Sequence, residues 1–289
     1  MLNQHNEGVK KTMAAADIFA KINASYSSFT KSEKRVADFV FQYPEKVLYT
    51  SITDFGELCG VGDTTVFRFC KALELNGYQD FKMLLAQAIA GSDGDNSVAG
   101  EVSLEDDTLS ICQKALSTSI SALNETFNLL DVSRIKKASQ FIFNANSIHF
   151  FGMGSSGVAA YEARLKFMRI LPNVQFNPDC HVQYMTAALM STRDLAVAFS
   201  YSGSAKDIIE IMKIAKSTGC KTVCITRHVK SALANLCDVV LQCGSNEGPL
   251  QGGSLSTIIA QLYILDVLYL QYYVDHYDKA RDNNTKTTE

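Results

Sequence analysis

The sequence lacks the features that mark fibrous, disordered or secreted chains. Only 4 of its 289 residues are proline and 17 are glycine, which excludes a collagen-like or broadly disordered chain. No CxxC or HExxH motif occurs and the five histidines are scattered, so we expect no structural zinc and no resident cofactor. The first 13 residues are polar, unlike a signal peptide. The eight cysteines are therefore expected to be reduced thiols in the cytoplasm.

Uninterrupted apolar runs are also missing. The longest apolar stretch, Ile258 to Val274, is broken by Gln261, Asp266 and Gln271. Such a stretch is typical of a buried helix or a subunit-interface helix, and not of a membrane span.

The chain has no excess of either charge, but its charges are unevenly placed. The net charge of −3 comes from 27 basic and 30 acidic residues. Residues 91–108 carry six acids and no base, and are rich in glycine and small polar residues. Because 289 residues exceed the usual size of one domain, we interpret this stretch as an acidic flexible linker. It separates a domain at 1–90 from one at 109–275, and 276–289 form a polar tail.

The first domain is predicted to be entirely helical. Thr30-Lys-Ser-Glu33 has the pattern of a capping box that opens a helix, and Ala14 to Ile22 has helical spacing before it. Ile52 to Cys59 is followed by Gly60-Val-Gly62, and Asp63 is a candidate N-cap for a helix from Thr64 to about Leu73. Two helices joined by a short glycine turn predict a helix-turn-helix.

The second domain alternates between strand and helix patterns. The predicted strands are 147–151, 173–176, 195–200, 221–226 and 238–242, and the predicted helices are 158–171, 206–218, 231–236 and 256–274. This alternation predicts an α/β domain with a parallel sheet covered by helices on both faces.

Two loops rich in serine and glycine follow predicted strands. They are Gly152-Met-Gly-Ser-Ser-Gly157 and Ser200-Tyr-Ser-Gly-Ser204. In a parallel sheet the ligand crevice lies at the carboxyl ends of the strands, and each loop also precedes a predicted helix, whose N-terminal amides favour an anion. Serine and glycine are ordinary turn residues as well, but two such loops in one sheet favour a phosphate site.

The first loop also satisfies the dinucleotide pattern GxGxxG, through Gly152, Gly154 and Gly157. The acid that this pattern requires would be Asp179, which lies beyond Pro178 rather than at the end of the second strand. A dinucleotide-binding protein is therefore an alternative, but it gives no reason for the second serine loop.

The motifs of both domains resemble those of the RpiR family of bacterial transcriptional regulators, in which a helix-turn-helix precedes a SIS (sugar isomerase) domain. The matching segments stand in the family's order over about residues 14–275: Ser32-Glu-Lys-Arg-Val-Ala37, Pro44, Ser51-Ile52, Val66-x-Arg68-Phe69-Cys70-Lys71-x-Leu73, Gly77-Tyr78, Phe81-Lys82, Gly152-x-Gly154-Ser155-Ser156, Asp179-x-His181, Ser200-Tyr-Ser-Gly203, Lys206-Asp207 and Ala215-Lys216.

The sequence departs from the family pattern at three places. The family usually has Ser at position 62 and Gly at position 74, where this chain has Gly62 and Glu74. It usually has Thr at position 205, where this chain has Ala205, with Ser204 one place earlier.

The resemblance implies a regulator, a homodimer or homotetramer, that binds an operator in double-stranded DNA and a sugar phosphate effector of sugar metabolism. The implied effector-binding residues are Gly154, Ser155, Ser156, His181, Ser200, Tyr201, Ser202, Gly203 and Ser204. The candidate DNA contacts are Thr64, Thr65, Phe67, Arg68, Lys71 and Lys82, provided that Val66, Phe69, Cys70 and Leu73 pack inward.

A sugar-phosphate isomerase is the other alternative, since SIS domains also occur in isomerases. Isomerisation needs a general base, and Glu247 is the only acid in a late loop that suits this role. Its neighbours Gly248 and Pro249 match no isomerase signature, and a DNA-binding domain favours a sensor. We therefore expect no catalytic residue and no enzyme activity.

Overall fold

The computed structural model describes residues 17–92, 102, 106–244 and 255–289. The chain divides into two units between Ala115 and Leu116, within the helix Thr108–Leu129, most of which belongs to the second unit. We describe the units separately. Most of the predicted linker, 91–108, lies outside the described residues. Helices occupy its two ends, since one ends at Ser92 and the next begins at Thr108.

The first unit is helical, as predicted. Its helices are α1 (Asp17–Ser25), α2 (Lys31–Gln42), α3 (Pro44–Leu48), α4 (Ile52–Cys59), α5 (Asp63–Ala72) and α6 (Tyr78–Ser92), with a 3₁₀ turn at Tyr26–Ser28.

Local sequence signals explain where these helices begin and end. The capping box is confirmed, because Thr30 Oγ1 accepts from Glu33 N–H while the Glu33 carboxylate accepts from Thr30 N–H. Helix α4 begins and ends as predicted, and Gly60 ends it in the left-handed conformation with φ of 63°. Pro44 does not merely follow α2. It is the first residue of α3, a position that proline suits.

The predicted N-cap of α5 is wrong. Gly62 has the extended N-cap conformation and Asp63 is the first helical residue, so no side chain caps this helix. The Asp63 carboxylate instead accepts a hydrogen bond from Thr53 Oγ1 at 2.9 Å. This bond joins α5 to α4, the other helix of the predicted helix-turn-helix.

The core of the first unit is aromatic and closes around α5. The Phe69 ring is tilted against Phe29 and meets Phe81 edge to face, and Phe55 stacks against Tyr78. All of these rings are buried, together with Val66, Cys70 and Leu73. The inward face predicted for α5 is therefore confirmed.

The second unit is an α/β layer structure. After α7 (Thr108–Leu129) and α8 (Val132–Asn144), its elements are β1 (Ser147–Phe151), α9 (Gly154–Phe167), β2 (Val174–Gln175), α10 (Cys180–Ala188), β3 (Asp194–Phe199), α11 (Lys206–Ser217), β4 (Lys221–Thr226), α12 (Ala232–Leu236), β5 (Val239–Gln242), α13 (Leu255–Asp275) and α14 (Tyr277–Thr288).

All five predicted strands are present and pair in parallel in the order β2-β1-β3-β4-β5. Two separate apolar clusters cover the sheet. One contains Phe150, Val197 and residues of α9 and α13, and the other contains Ala196, Ala198 and residues of α11. Helices therefore cover both faces, as predicted.

The apolar stretch from Ile258 to Val274 is a core helix. Its host, α13, is the one helix among the described residues that is long and apolar enough to cross a membrane by length and composition. Ala260, Ile264, Leu265 and Leu268 on this helix are buried in the main core cluster, whereas Leu270 and Val274 are exposed.

The predicted polar tail is a helix instead. Most of 276–289 forms α14, whose Ala280 is buried. Asn283 Nδ2 donates to Ile170 O at 2.9 Å and Thr287 Oγ1 donates to Arg169 O at 2.9 Å. These polar residues thus cap backbone carbonyls just after α9, a role that composition does not reveal.

Candidate functional site

The two serine–glycine loops follow neighbouring strands. β1 and β3 are paired in parallel with Phe151 opposite Ala198, so the loops that follow them start side by side at one edge of the sheet. The chain leaves β1 towards β2 on one side and β3 towards β4 on the other. The reversal opens a crevice at this point, where ligands bind in such sheets.

Each loop leads into a helix whose N-terminus has no side-chain cap among the described residues. The N-cap residues are Met153 for α9 and Ala205 for α11, and neither has a side chain that accepts a hydrogen bond from its helix. The first amides of a helix have no partner within it, and they carry the positive end of the helix dipole. Both helices therefore present anion-binding N–H groups to the crevice.

The second loop brings its hydroxyl groups together. Ser202 Oγ accepts from Ser204 Oγ at 2.9 Å and from Ser204 N–H at 3.2 Å. Ser200 is buried, whereas Ser204 is exposed. The Gly203 N–H donates to Ser200 O at 3.2 Å, so this amide is paired inside the turn. The Gly203 amide is therefore not a phosphate donor in this arrangement, and the Ser204 hydroxyl would have to turn away from Ser202 to become one.

Gly203 is required by the shape of this loop. It adopts φ of +61°, and a Cβ atom there would lie 2.0 Å from Ser231 Oγ and 3.0 Å from Thr226 Oγ1. The Thr226 hydroxyl also donates to Tyr201 O at 3.1 Å. Residues of β4 and the start of α12 therefore support the loop from behind.

In the first loop, the predicted ligand residues occupy the first turn of α9. Gly154, Ser155 and Ser156 are its first three residues. The Ser155 hydroxyl makes no hydrogen bond among the described residues, while Ser156 Oγ accepts from Gln261 Nε2 of α13 at 3.0 Å. Gly152 lies so close to Ser156 that a Cβ atom would come within 2.7 Å of Ser156 O.

Helix α10 contacts the first loop and the first turn of α11, and it carries His181. Gln183 is buried and holds Gly152 on both sides, since its amide accepts from Gly152 N–H at 3.2 Å and donates to Gly152 O at 3.0 Å. Tyr184 OH donates to Asp207 Oδ1 at 3.2 Å, in the first turn of α11. Burial, followed by this carboxylate, raises the pKa of the Tyr184 phenol. His181 is exposed at the second position of α10.

Of the residues needed for the two alternatives, one has another role and the other is not described by the structure. Asp179, the acid of the dinucleotide pattern, is the N-cap of α10 and accepts from Val182 N–H at 2.9 Å. Glu247, the candidate isomerase base, lies outside the described residues.

The candidate DNA residues lie on the surface of α5, except for Lys82. Thr64, Phe67 and Arg68 are exposed and Thr65 is half-buried. Lys71 is exposed, with its Nζ 5.4 Å from the centre of the Phe67 ring. α5 therefore presents hydroxyl, aromatic and cationic groups on one side and packs the other.

Lys82 lies apart from this surface. It is half-buried in α6, where its Nζ donates to Thr50 O at 3.4 Å and lies 5.2 Å from the centre of the Tyr78 ring. Burial lowers the pKa of this ammonium group to about 8. As a phosphate contact it would have to turn away from Thr50.

Sequence reasoning did not find Gln183 or Gln261. Both are buried. Gln183 contacts a loop residue 31 positions away, and Gln261 contacts one 105 positions away. The only signal was Gln261 as a polar interruption in an apolar helix.

Two family models match the chain. The model of the helix-turn-helix domain of the rpiR family matches residues 16–92, and the model of the SIS domain matches residues 141–271.

Relatives align over nearly the whole chain. An HTH-type transcriptional regulator of Haemophilus influenzae is 36% identical over 94% of this chain and 96% of its own. The regulator HexR of Pseudomonas aeruginosa is 30% identical over 87% of each chain. Among solved structures, the NanR protein of Vibrio vulnificus, complexed with ManNAc-6P, is similar with a TM-score of 0.82 and 25% identity, covering 94% of this chain and 97% of its own.

Proposed function

The chain belongs to the rpiR family of helix-turn-helix transcriptional regulators that carry a SIS domain, and on this premise we propose that a sugar phosphate bound in the SIS domain controls its binding to the operators of sugar-metabolism genes. The effector class follows from the similar NanR protein, which was solved with ManNAc-6P. The particular sugar is left to experiment.

One observation carries the effector site. The Ser202 and Ser204 hydroxyls lie 2.9 Å apart, next to the uncapped start of α11 and beside the equally uncapped start of α9. A phosphate group accepts hydrogen bonds only, and here two donor-rich helix N-termini and several hydroxyls face one crevice.

The remaining roles follow from position. Ser200, Ser202 and Ser204 with the first turn of α11 hold the phosphate, and Tyr201 and Gly203 shape the loop. Gly154, Ser155 and Ser156 contact the sugar or the same phosphate, and His181 reaches the crevice from α10.

DNA binding is assigned to α5. Its exposed Thr64, Thr65, Phe67 and Arg68 enter the major groove, where arginine reads guanine through two hydrogen bonds. Lys71 and Lys82 contact phosphates. The first domain has no net excess of positive charge, so we propose a homodimer or homotetramer that adds the affinities of its helices on a palindromic operator.

We propose a cytoplasmic sensor and not an enzyme. The similar full-length relatives are transcriptional regulators by name. Binding then shifts an equilibrium between oligomers that bind the operator and oligomers that do not.

A sugar-phosphate panel tests the effector site. An effector at about 100 times its Kd stabilises the folded protein by ~2.7 kcal/mol, which raises Tm by several degrees. Ser202→Asp is expected to abolish this rise, because a carboxylate beside the phosphate costs several kcal/mol. Tm measured with ManNAc-6P and with hexose and pentose phosphates gives the answer.

The matched control is Ser121→Asp, which adds the same charge at an exposed position of α7. It should keep the full rise in Tm. No rise for the wild type with any phosphosugar would overturn the proposed function. An equal rise in Ser202→Asp would place the effector site elsewhere.

A further inference from the structure

Helix α13 contributes a polar residue to the first serine loop. Gln261 is completely buried, and its Nε2 lies 3.0 Å from Ser156 Oγ. Its carbonyl oxygen Oε1 is also buried and has no hydrogen-bond partner among the described residues. An unpaired buried acceptor destabilises a folded chain, so packing alone does not explain a glutamine at this position.

The fully buried polar residues of α13 are grouped at one end. They are Ser256, Thr257 and Gln261, whereas the buried residues beyond them are Ile264, Leu265, Leu268 and Tyr272. Thr257 and Gln261 are four positions apart and so lie on one face of the helix. The helix thus becomes polar where it reaches the first turn of α9.

The hydrogen bond from Gln261 sets the direction of the Ser156 O–H bond. A serine hydroxyl has one hydrogen to donate and two lone pairs. Because the Gln261 amide N–H occupies a lone pair, the hydrogen of Ser156 remains available to the crevice. A phosphate or sugar oxygen needs that donor, and an acceptor at position 261 would consume it.

We propose that Gln261 is a positioning residue of the effector site, which sets Ser156 as a hydrogen-bond donor towards the ligand. This inference rests on the proposed function, since it concerns the same site. Gln261 does not touch the ligand, and it acts through Ser156.

The first test is Gln261→Met, which keeps the length of the side chain and removes both polar atoms. Affinity for ManNAc-6P, or for whichever phosphosugar of the panel binds most tightly, should fall about 10-fold in calorimetry. Tm without added ligand should stay equal or rise, because the unpaired carbonyl is gone. Gln261→Glu, which offers only acceptors and a negative charge, should lose binding by a larger factor.

A double-mutant cycle separates positioning from packing. In a Ser156→Ala background Gln261→Met should cause little further loss, because the hydroxyl that it orients is absent. The packing control is Leu265→Met on the same helix, which should alter Tm and leave affinity unchanged. Additive losses in the cycle, a loss of affinity that follows a loss of Tm, or unchanged affinity in Gln261→Met would overturn the inference.

The inference and the proposed function fail differently. Wild-type protein that binds no phosphosugar would overturn the proposed function and this inference with it. Wild-type protein that binds one, with Gln261→Met binding equally well, would overturn this inference alone.

Discussion

At the scale of single residues, buried side chains control the hydrogen bonds of their neighbours. Gln261 sets the direction of the Ser156 O–H bond, and Gln183 holds the Gly152 backbone in place. The hydrogen bonds involved are 3.0 to 3.2 Å long. Lys82 shows the same dependence in the helical unit, because burial beside Tyr78 and Thr50 lowers its pKa to about 8.

Lys82 makes the stability of the protein depend on pH. In the unfolded chain a lysine keeps a pKa near 10.5, so between pH 8 and 10.5 the unfolded state binds more protons than the folded state. The free energy of unfolding contributed by Lys82 therefore increases over this range and is constant below pH 8.

Urea unfolding of the wild type and of Lys82→Met at pH 7 to 10.5 measures this effect. Met has no charge to desolvate, so Lys82→Met should be the more stable protein at pH 7, by on the order of 1 to 3 kcal/mol, and the difference should shrink as pH rises. A difference independent of pH would show that Lys82 is not desolvated.

At the scale of secondary-structure elements, a strained residue follows the end of helix α5. Glu74 has φ of 61°, the one non-glycine residue with positive φ among those described. Leu75 N–H donates to Cys70 O at 3.0 Å across it, which is a Schellman ending that usually contains glycine. The position where the family pattern has glycine is thus one that requires the left-handed conformation.

Glu74→Gly should therefore raise the free energy of unfolding by about 1 kcal/mol, since a residue with a Cβ pays this strain and glycine does not. Glu74→Ala removes the same charge but keeps a Cβ, so it should give no such gain. Thermal unfolding of both variants distinguishes them, and equal effects would assign the change to charge instead.

The outward face of α5 makes a separate prediction. Arg68→Ala should weaken operator binding by ~1 to 3 kcal/mol and relax the preference at one base position. Lys71→Ala should weaken binding to all DNA sequences alike and reduce the slope of log K against log salt concentration by about one. Binding selections from random DNA at two salt concentrations measure both. Lys46→Ala, an exposed lysine on α3, is the charge-matched control, and Arg68→Ala with wild-type selectivity would remove Arg68 from the base contacts.

Sequence patterns predicted elements better than contacts between them. All five strands were found because each is a short apolar run between polar turns, and the capping box and Gly60 marked helix ends. Helices α3, α6, α7, α8, α10 and α14 were not delimited from the sequence. In α7 and α14, serine, threonine and asparagine dilute the apolar face. The serine loops were found from local motifs, but Gln183 and Gln261 act across 31 and 105 residues, and no local pattern reports such a contact.

At the scale of the whole molecule, the two binding activities must affect each other equally. If an effector changes operator affinity by some factor, operator DNA changes effector affinity by the same factor, typically about 5- to 150-fold. Effector is titrated with and without saturating operator, and operator is titrated with and without effector. The ratio of the two affinities should be the same in both experiments. Ser202→Asp should bind operator with no response to effector. Unequal factors would mean that a second effector site or a change of oligomer is involved.

The long-range contacts of the SIS domain also determine when each unit can fold during synthesis. Thr126 Oγ1 in α7 donates to Gly244 O, and Thr287 Oγ1 in α14 donates to Arg169 O, each across 118 residues. The described core residues of the helical unit, in contrast, all lie between Ile18 and Ile89. Contacts distant in sequence form only after the intervening chain exists. The helical unit of a growing chain can therefore fold while the ribosome is still synthesising the SIS domain. A chain released before Gly244 would contain a folded helix-turn-helix whose DNA binding does not respond to a sugar phosphate.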